Sequence, residues 1–167
     1  MLPDEANARL SASLEDYLEA ICHLEQSQRV ARAKDIACLM KVRRASVTGA
    51  LKTLAGRGLI NYSPYSYTTL TPAGRDMAKD IIHRRKILED FFINILRLSP
   101  EDAGTNAHRM EHTIDPAAID KLVCFLEFVN ICPRTDMKWL DAFVRFCAQE
   151  PRTSDCRTCI EGSVQSV

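Results

Sequence analysis

Two short segments of the sequence place metal-binding side-chain types at helical spacing. His108, Glu111 and His112 stand at i, i+3 and i+4, so a helix would present all three on one face. Near the start of the chain, Asp16 and Glu19 stand at i and i+3 in a segment with helical periodicity. Imidazole and carboxylate groups from two helices can bind a divalent first-row metal such as manganese, iron, cobalt or zinc. These five residues are therefore candidate ligands of a metal site, if the two helices lie close together.

The segment between these two groups is strongly basic. From Gln26 to Arg75, nine lysines and arginines stand against one acid, Asp35, whereas the whole chain has 22 basic and 22 acidic residues. A local excess of eight positive charges is typical of a surface that binds nucleic acid. A solvated basic face with no partner is the alternative interpretation.

Hydrophobic periodicity and turn residues predict the elements that carry these groups. Helices are expected over 10–24, 33–40, 45–55, 72–98 and 117–129, with strands over 59–62 and 67–70. Thr71 is the expected N-cap of the helix that opens with Pro72. Ser13 is the expected N-cap of the first helix, and a structural role as its capping-box acid is the alternative interpretation of Asp16. Helix, helix, turn, helix and hairpin, in this order, is a winged helix-turn-helix.

The third helix of such a motif lies in the major groove, with its first turn nearest the bases. The residues off its apolar stripe can face DNA; they are Arg43, Arg44, Ser46, Thr48, Gly49, Lys52 and Thr53. Arginine suits guanine or phosphate, and hydroxyls suit phosphate oxygens. Gly49 would let the helix approach DNA closely. The predicted partner is double-stranded DNA, and a winged helix used for protein contact is the alternative.

The helix over 117–129 is apolar almost all round, which favours burial in a core or a dimer interface. Readers of palindromic operators need such an interface, because paired half-sites mirror a homodimer. The expected fold is therefore mainly α with a small β-hairpin wing. We expect a winged helix-turn-helix domain over 1–72, a helical metal-binding and dimerisation domain over 73–130, and a cysteine-rich extension over 131–167.

Several motifs recur in one order along the chain: Leu14-Glu15-Asp16-Tyr17-Leu18-Glu19-Ala20-Ile21, Asp35-Ile36-Ala37, Ser46-Val47-Thr48, Leu51-Lys52-Thr53-Leu54, Gly58-Leu59-Ile60, Leu70-Thr71-Pro72-Ala73-Gly74-Arg75 and Glu111-His112. With them the sequence resembles the diphtheria toxin repressor and manganese transport regulator family, from about Ser13 to Val129. The resemblance implies a homodimeric, metal-activated repressor of the two-domain manganese type. In such a repressor, metal holds the first helix against the dimerisation domain and so fixes the spacing of the two recognition helices.

The resemblance also implies which residues bind metal. Asp16, Glu19, Glu111 and His112 match ligands of the manganese branch, and His108 falls where relatives have glutamate or cysteine. Relatives have a ligating histidine at the position of Arg85, and arginine cannot bind a metal because it stays protonated. Three interpretations follow: His83 reaches in instead, the site holds a single metal, or Arg85 itself replaces a cation. A salt-bridged contact with no metal is a further alternative.

The cysteines form a second possible site. Cys132, Cys147, Cys156 and Cys159 could provide four thiolates for zinc or an iron–sulfur cluster, and Cys156-x-x-Cys159 is the most diagnostic pair. An amphipathic helix around Trp139 to Phe146 would carry Cys147. In that case the regulator could lack the interdomain metal and sense iron or redox state through the cysteines. The other three cysteines are expected to pack in apolar cores; they are Cys22, Cys38 and Cys124.

The remaining function classes are less compatible with the sequence. The order of His108, Glu111 and His112 is not the His-Glu-x-x-His order of zinc proteases, and no phosphate-binding loop is present, so we expect no enzyme and no small-molecule substrate. No stretch approaches the ~20 apolar residues of a membrane helix, so we expect no membrane partner. The expected location is the cytoplasm.

Overall fold

The computed structural model describes residues 10–28, 30–64, 66–132 and 137–148. These residues are mostly helical, with one antiparallel two-stranded hairpin, as expected from the sequence. The elements are α1 (Ala12–Gln28), α2 (Ala33–Leu39), α3 (Arg44–Gly56), β1 (Ile60–Asn61), β2 (Thr69–Leu70), α4 (Pro72–Asn94), α5 (Pro100–Glu111), α6 (Pro116–Ile131) and α7 (Met137–Ala148). None of the helices in the described ranges is long and apolar enough to cross a membrane.

The described chain divides into two compact units. The first lies within Met1–Arg85 together with Glu111–Thr113, and the second lies within Lys86–Met110 and Ile114–Val167. The first unit has the helix order and hairpin of a winged helix-turn-helix. Its core is formed where the apolar stripes of α1, α2 and α3 meet, and its fully buried members include Leu18, Ile21, Ile36, Val47, Leu51, Leu54 and Ile81.

The hairpin is short because its second strand changes partner. Ile60 pairs with Leu70 and Asn61 with Thr69. One residue further, Thr68 exchanges both backbone hydrogen bonds with Ala31 instead, at 2.8 and 3.2 Å. The predicted strands over 59–62 and 67–70 are therefore longer than the observed pairing.

A buried carboxylate fixes this hairpin to α1 and α4. Glu25 accepts a hydrogen bond from the backbone N–H of Leu70 at 2.6 Å and from the guanidinium of Arg75 at 2.8 Å. Its side chain is only 7% exposed. Since a buried carboxylate is costly unless it is hydrogen-bonded, both contacts hold the wing in place.

The start of α4 packs directly on the backbone that precedes the hairpin. Thr71 Oγ1 accepts from the N–H of Gly74 at 3.1 Å, which confirms Thr71 as the N-cap, and it donates to the carbonyl of Gly58 at 2.8 Å. A Cβ added to Gly74 would lie 1.9 Å from the carbonyl oxygen of Leu59. Only glycine fits at this position.

The structure corrects three expectations about helix bounds and caps. Ser13 is not the N-cap of α1, because the helix begins at Ala12 and the first helical hydrogen bonds, from the N–H groups of Leu14 and Glu15, go to the carbonyl of Ser11. Asp16 is therefore not a capping-box acid. The helix that starts at Pro72 ends at Asn94, four residues earlier than predicted, and Arg97 beyond it takes the left-handed conformation with φ at +58°.

The second unit has its own small core, in which Leu88, Ala103 and Ala107 are fully buried. At the start of α5, Ser99 accepts from the N–H of Asp102 and donates to its carboxylate, which caps this helix.

Helix α6 is not enclosed by the residues that the structure describes. Only Ile119 on α6 is buried, whereas Phe125, Phe128 and Ile131 are 38%, 54% and 78% exposed. Of the two interpretations, burial in a core or in a dimer interface, these exposures favour the interface. Cys38 and Cys124 are exposed, so the expectation of core packing holds only for Cys22, whose pKa is raised by burial.

Candidate metal centre and DNA-binding groove

Three helical segments of the first unit bring charged side chains together. Helix α1 contributes Glu15, Asp16 and Glu19, which lie on one side of the helix while Leu18 and Ile21 enter the core. The end of α4 within this unit contributes two arginines, and residues 111–113 contribute a glutamate and a histidine. The cluster thus combines carboxylates, guanidinium groups and one imidazole.

The imidazole of His112 lies between carboxylates of this cluster. Its Nε2 atom is 3.1 Å from Oδ1 of Asp16 and 3.3 Å from Oε1 of Glu111. Ligand bonds of about 2.1 Å at right angles put neighbouring ligand atoms about 3 Å apart. Asp16 and Glu111 therefore each have the chemistry, and the separation from His112 Nε2, of neighbouring ligands on a divalent metal ion.

Glu15 fixes the orientation of this histidine. Its Oε2 atom is 2.8 Å from Nδ1 of His112, and the carboxylate is also 3.3 Å from the guanidinium of Arg84. With a proton on Nδ1, His112 donates to Glu15 and presents the lone pair of Nε2 toward Asp16 and Glu111. A carboxylate behind a ligating histidine is the usual arrangement at metal sites, where it orients the ring and raises its basicity.

Arg85 lies between two of the carboxylates that were predicted as ligands. Its Nη1 and Nη2 donate to the two oxygens of Glu19 at 2.6 and 2.7 Å. Its Nε and Nη2 donate to the two oxygens of Glu111 at 2.8 and 2.5 Å. Burial alone would lower the pKa of Arg85, but the hydrogen bond to Glu111 and the nearby carboxylates outweigh burial and raise that pKa above its ordinary value. Arg85 is therefore a permanent cation at this position.

The five predicted ligands have different surroundings in the structure. Asp16, Glu111 and His112 offer ligand atoms that all lie within 4.8 Å of one another. Glu19 belongs to the same cluster, and both of its oxygens accept from Arg85, as both oxygens of Glu111 do. His108 lies one turn before Glu111 on α5, exposed and within the second unit.

Sequence analysis missed two members of this cluster, Glu15 and Arg84. The available signal was spacing, because Glu15 precedes Glu19 by one helical turn and Arg84 adjoins Arg85. His83, which was considered as a substitute ligand, is exposed on α4.

A basic groove of about 1020 Å³ lies between α3 and the hairpin. Arg44, Thr48 and Lys52 line it from α3, where their i, i+4, i+8 spacing places them on one face. The rest of its lining comes from the start of α2 and from the wing: Arg32, Ala33, Lys34, Tyr62, Pro64, Ser66 and Tyr67. The groove therefore combines cations with aromatic groups, as nucleic-acid-binding surfaces do.

Only part of the predicted DNA face lines this groove. Arg43 is the N-cap residue of α3, and Ser46, Gly49 and Thr53 are exposed outside the lining. The hydroxyls of Thr48 and Thr53 donate to the carbonyls of residues 44 and 49, so only their lone pairs remain for a donor.

The contact between Arg32 and Tyr67 was not predicted from the sequence. The guanidinium carbon lies 5.1 Å from the ring centroid, and a guanidinium nitrogen is 3.4 Å from the phenol oxygen. Both side chains are held in place because the neighbouring residues, Ala31 and Thr68, are hydrogen-bonded through their backbones. This pair follows from the backbone pairing of Ala31 with Thr68. The spacing of residues in the sequence does not reveal such a long-range pairing.

Half of the predicted cysteine site lies outside the described residues. Cys132 is half-buried after α6 and Cys147 is exposed on α7, whereas Cys156 and Cys159 lie outside the described ranges. The comparisons with known proteins give this site no support.

Two family models match consecutive parts of the sequence. Residues 9–67 match the N-terminal DNA-binding domain of the iron-dependent repressors. Residues 71–140 match the metal-binding and dimerisation domain of the same family. The two matches correspond to the winged helix-turn-helix and to the helices that follow it.

Individual relatives agree with these matches. An HTH-type transcriptional regulator of Methanocaldococcus jannaschii is 32% identical over 119 residues, which cover 71% of this chain and 95% of the relative. The transcriptional regulator MntR of Salmonella typhimurium is 33% identical over 114 residues, covering 68% of this chain and 72% of MntR. The solved structure of the manganese regulator SloR is similar with a TM-score of 0.62 and 27% identity. The similarity covers 72% of this chain, which spans about half (56%) of the SloR chain. The chain belongs to the iron-dependent repressor family, the metal-dependent DNA-binding transcriptional regulators of the diphtheria toxin repressor and manganese transport regulator type.

Proposed function

We propose that this protein is a homodimeric repressor of metal-homeostasis genes that binds a palindromic operator in the cytoplasm when Asp16, Glu111 and His112 hold a divalent metal. The approach of His112 Nε2 to Asp16 and Glu111 at 3.1 and 3.3 Å carries this proposal. Asp16 lies on α1 of the winged helix-turn-helix, so a ligand at this position acts directly on the DNA-binding fold. His108, on the same face of α5 by its spacing, is a further candidate ligand.

The donor set favours manganese or iron. Two carboxylates and one imidazole are the hard to borderline ligands that suit these ions, and no thiolate belongs to this group. A bound ion supplies positive charge that offsets the repulsion between the carboxylates. Several relatives are named as manganese regulators, which supports the same class of ion.

Helix α1 links the site to the recognition helix. Leu18 and Ile21 of α1 lie in the same core as Leu51 and Leu54 of α3. A shift of α1 therefore repacks the base of α3, since close-packed cores do not deform continuously. If metal binds one arrangement of α1 better than another, it shifts the population toward that arrangement and changes DNA affinity.

The DNA contacts are assigned to the basic groove and to the face of α3. We assign base contacts to the first turns of α3, including Arg43, Arg44 and Gly49, and phosphate contacts to Arg32 and Lys34. Phosphate contacts set affinity and register, whereas base contacts set sequence preference. Substitution of the second group should weaken binding to all DNA sequences similarly.

The exposed apolar face of α6 is the proposed site of self-association. Phe125, Phe128 and Ile131 are too exposed to stabilise a single chain, and the matching family domain is one of dimerisation. A two-fold dimer would present two recognition helices to the two half-sites of an operator.

A DNA-binding titration tests this function. A DNA duplex is first selected by the protein from a random pool with MnCl₂ present, and its affinity is then measured by fluorescence anisotropy with MnCl₂ or with EDTA. We expect MnCl₂ to strengthen binding at least tenfold for the wild type and to have little effect on Asp16→Asn. Asp80→Asn, which removes an exposed acid of α4, serves as the matched control and should respond like the wild type. Equal affinities in MnCl₂ and EDTA would contradict metal dependence.

A further inference from the structure

The cluster around His112 already contains cations supplied by the protein. Arg85 donates to both oxygens of Glu19 and to both oxygens of Glu111, and Arg84 pairs with Glu15. The carboxylate of Glu111 is completely buried. A buried carboxylate requires compensation, and Arg85 provides it through two hydrogen bonds in a bidentate geometry.

The charges of the cluster limit how much metal it can take. Four carboxylates contribute four negative charges: Glu15, Asp16, Glu19 and Glu111. Arg84 and Arg85 neutralise two of them, which leaves two. That remainder is neutralised by a single divalent ion, whereas four uncompensated carboxylates would match two such ions.

The geometry of the cluster also favours a single divalent ion. The atoms that face His112 Nε2 come from Asp16 and Glu111, on one side of the cluster. On the other side, the guanidinium of Arg85 fills the space between Glu19 and Glu111 at hydrogen-bonding distance. A second ion bound by these two glutamates would have to occupy the position of a charged group that cannot lose its proton.

We propose that Arg85 is a built-in cation of the metal centre, so that each chain binds one divalent ion and the position between Glu19 and Glu111 takes none. This inference rests on the proposed function, since it concerns the number of ions at the same site. It also means that Glu19 of α1 is already tied to α4 when metal is absent. The protein should therefore keep part of its DNA affinity in chelator, because one of the contacts that position α1 does not require metal.

Metal counting tests the inference directly. Full-length protein, stripped with chelator, is equilibrated by dialysis against MnCl₂, and manganese per chain is measured by mass spectrometry. We expect one ion for the wild type and two for Arg85→His, which removes the fixed charge and adds a ligand in its place. Lys86→His is the matched control, because it adds a histidine at the next, exposed position without disturbing the pair; it should bind one ion.

A second variant keeps the test decisive if Arg85→His does not fold. Arg85→Lys retains a positive charge and should bind one ion, with circular dichroism confirming its helix content. DNA affinity in EDTA is the second readout, and we expect Arg85→His to bind about tenfold more weakly there than the wild type.

The outcomes separate this inference from the proposed function. Two ions per wild-type chain, or one ion in a folded Arg85→His variant, would overturn the role of Arg85 and leave metal-dependent DNA binding intact. If the wild type binds no ion and its DNA affinity is the same with and without MnCl₂, the proposed function itself is overturned.

Discussion

Removing Arg85 should lower the stability of the folded protein, because it leaves the buried carboxylate of Glu111 without its main cationic partner. The side chain of Glu111 is 0% exposed, and Arg85 donates to both of its oxygens. Taking one partner from a buried ion pair costs about 3–5 kcal/mol. The side chains of Arg85 and Glu19 are 24% and 21% exposed, so water reaches part of the cluster. We therefore expect the lower end of that range, about 3 kcal/mol, for Arg85→Met.

Urea unfolding in EDTA, followed by circular dichroism, measures this loss. Lys86→Met is the matched control, since it removes an exposed positive charge from the next position of α4 and should change the free energy of unfolding by less than about 0.5 kcal/mol. The unfolding is then repeated in MnCl₂. A ligand at 100 times its Kd stabilises the folded state by about 2.7 kcal/mol per site.

The manganese series distinguishes the role of Arg85 from simple packing. If Arg85 replaces a cation, the variant should gain more stability from MnCl₂ than the wild type, because the freed glutamates can bind an additional ion. A loss below about 1 kcal/mol in EDTA, or an equal gain for both proteins in MnCl₂, would refute the reasoning.

Three further substitutions have expected outcomes. Gly49→Ala should raise the free energy of unfolding in urea by up to about 1 kcal/mol, because the added Cβ meets nothing within 4 Å. The same variant should bind the selected DNA more weakly in anisotropy titrations, and an unchanged affinity would argue against a close approach of α3 to DNA at this position. Gly74→Ala should lower the free energy of unfolding by at least about 2 kcal/mol in the same assay, because the added Cβ would lie 1.9 Å from the carbonyl oxygen of Leu59. A variant as stable as the wild type would contradict the packing described. Glu15→Gln should weaken manganese binding 10- to 100-fold in calorimetry, since it removes the charge behind His112, and an unaltered affinity would exclude that positioning role.

The local parts of this structure were predictable from sequence because they depend on short-range patterns. The apolar stripes of α1 and α3, the N-cap at Thr71 and the hairpin turn each involve residues a few positions apart. The convergence of Asp16 with Glu111 and His112 was also expected, but from family resemblance rather than from spacing, because nothing local relates residues almost one hundred positions apart.

The features that sequence reasoning missed or left open depend on long-range packing. The partners of Arg85 are determined by where α1 and α4 meet, so its role as a bridging cation was only one of three alternatives. The contact of Arg32 with Tyr67 depends on the switch of the wing from β1 to Ala31. The sequence also left open what covers α6, because an all-apolar helix has the same sequence pattern whether it is covered by its own chain or by another.

Thermodynamic linkage tests the central claim, that metal binding and DNA binding are coupled, most directly. Calorimetric titration of MnCl₂ into the protein is carried out with and without saturating amounts of the selected DNA. Coupling is reciprocal, so DNA should lower the Kd for manganese by the same factor by which manganese lowers the Kd for DNA, at least tenfold. An identical manganese affinity in the two titrations would contradict the account.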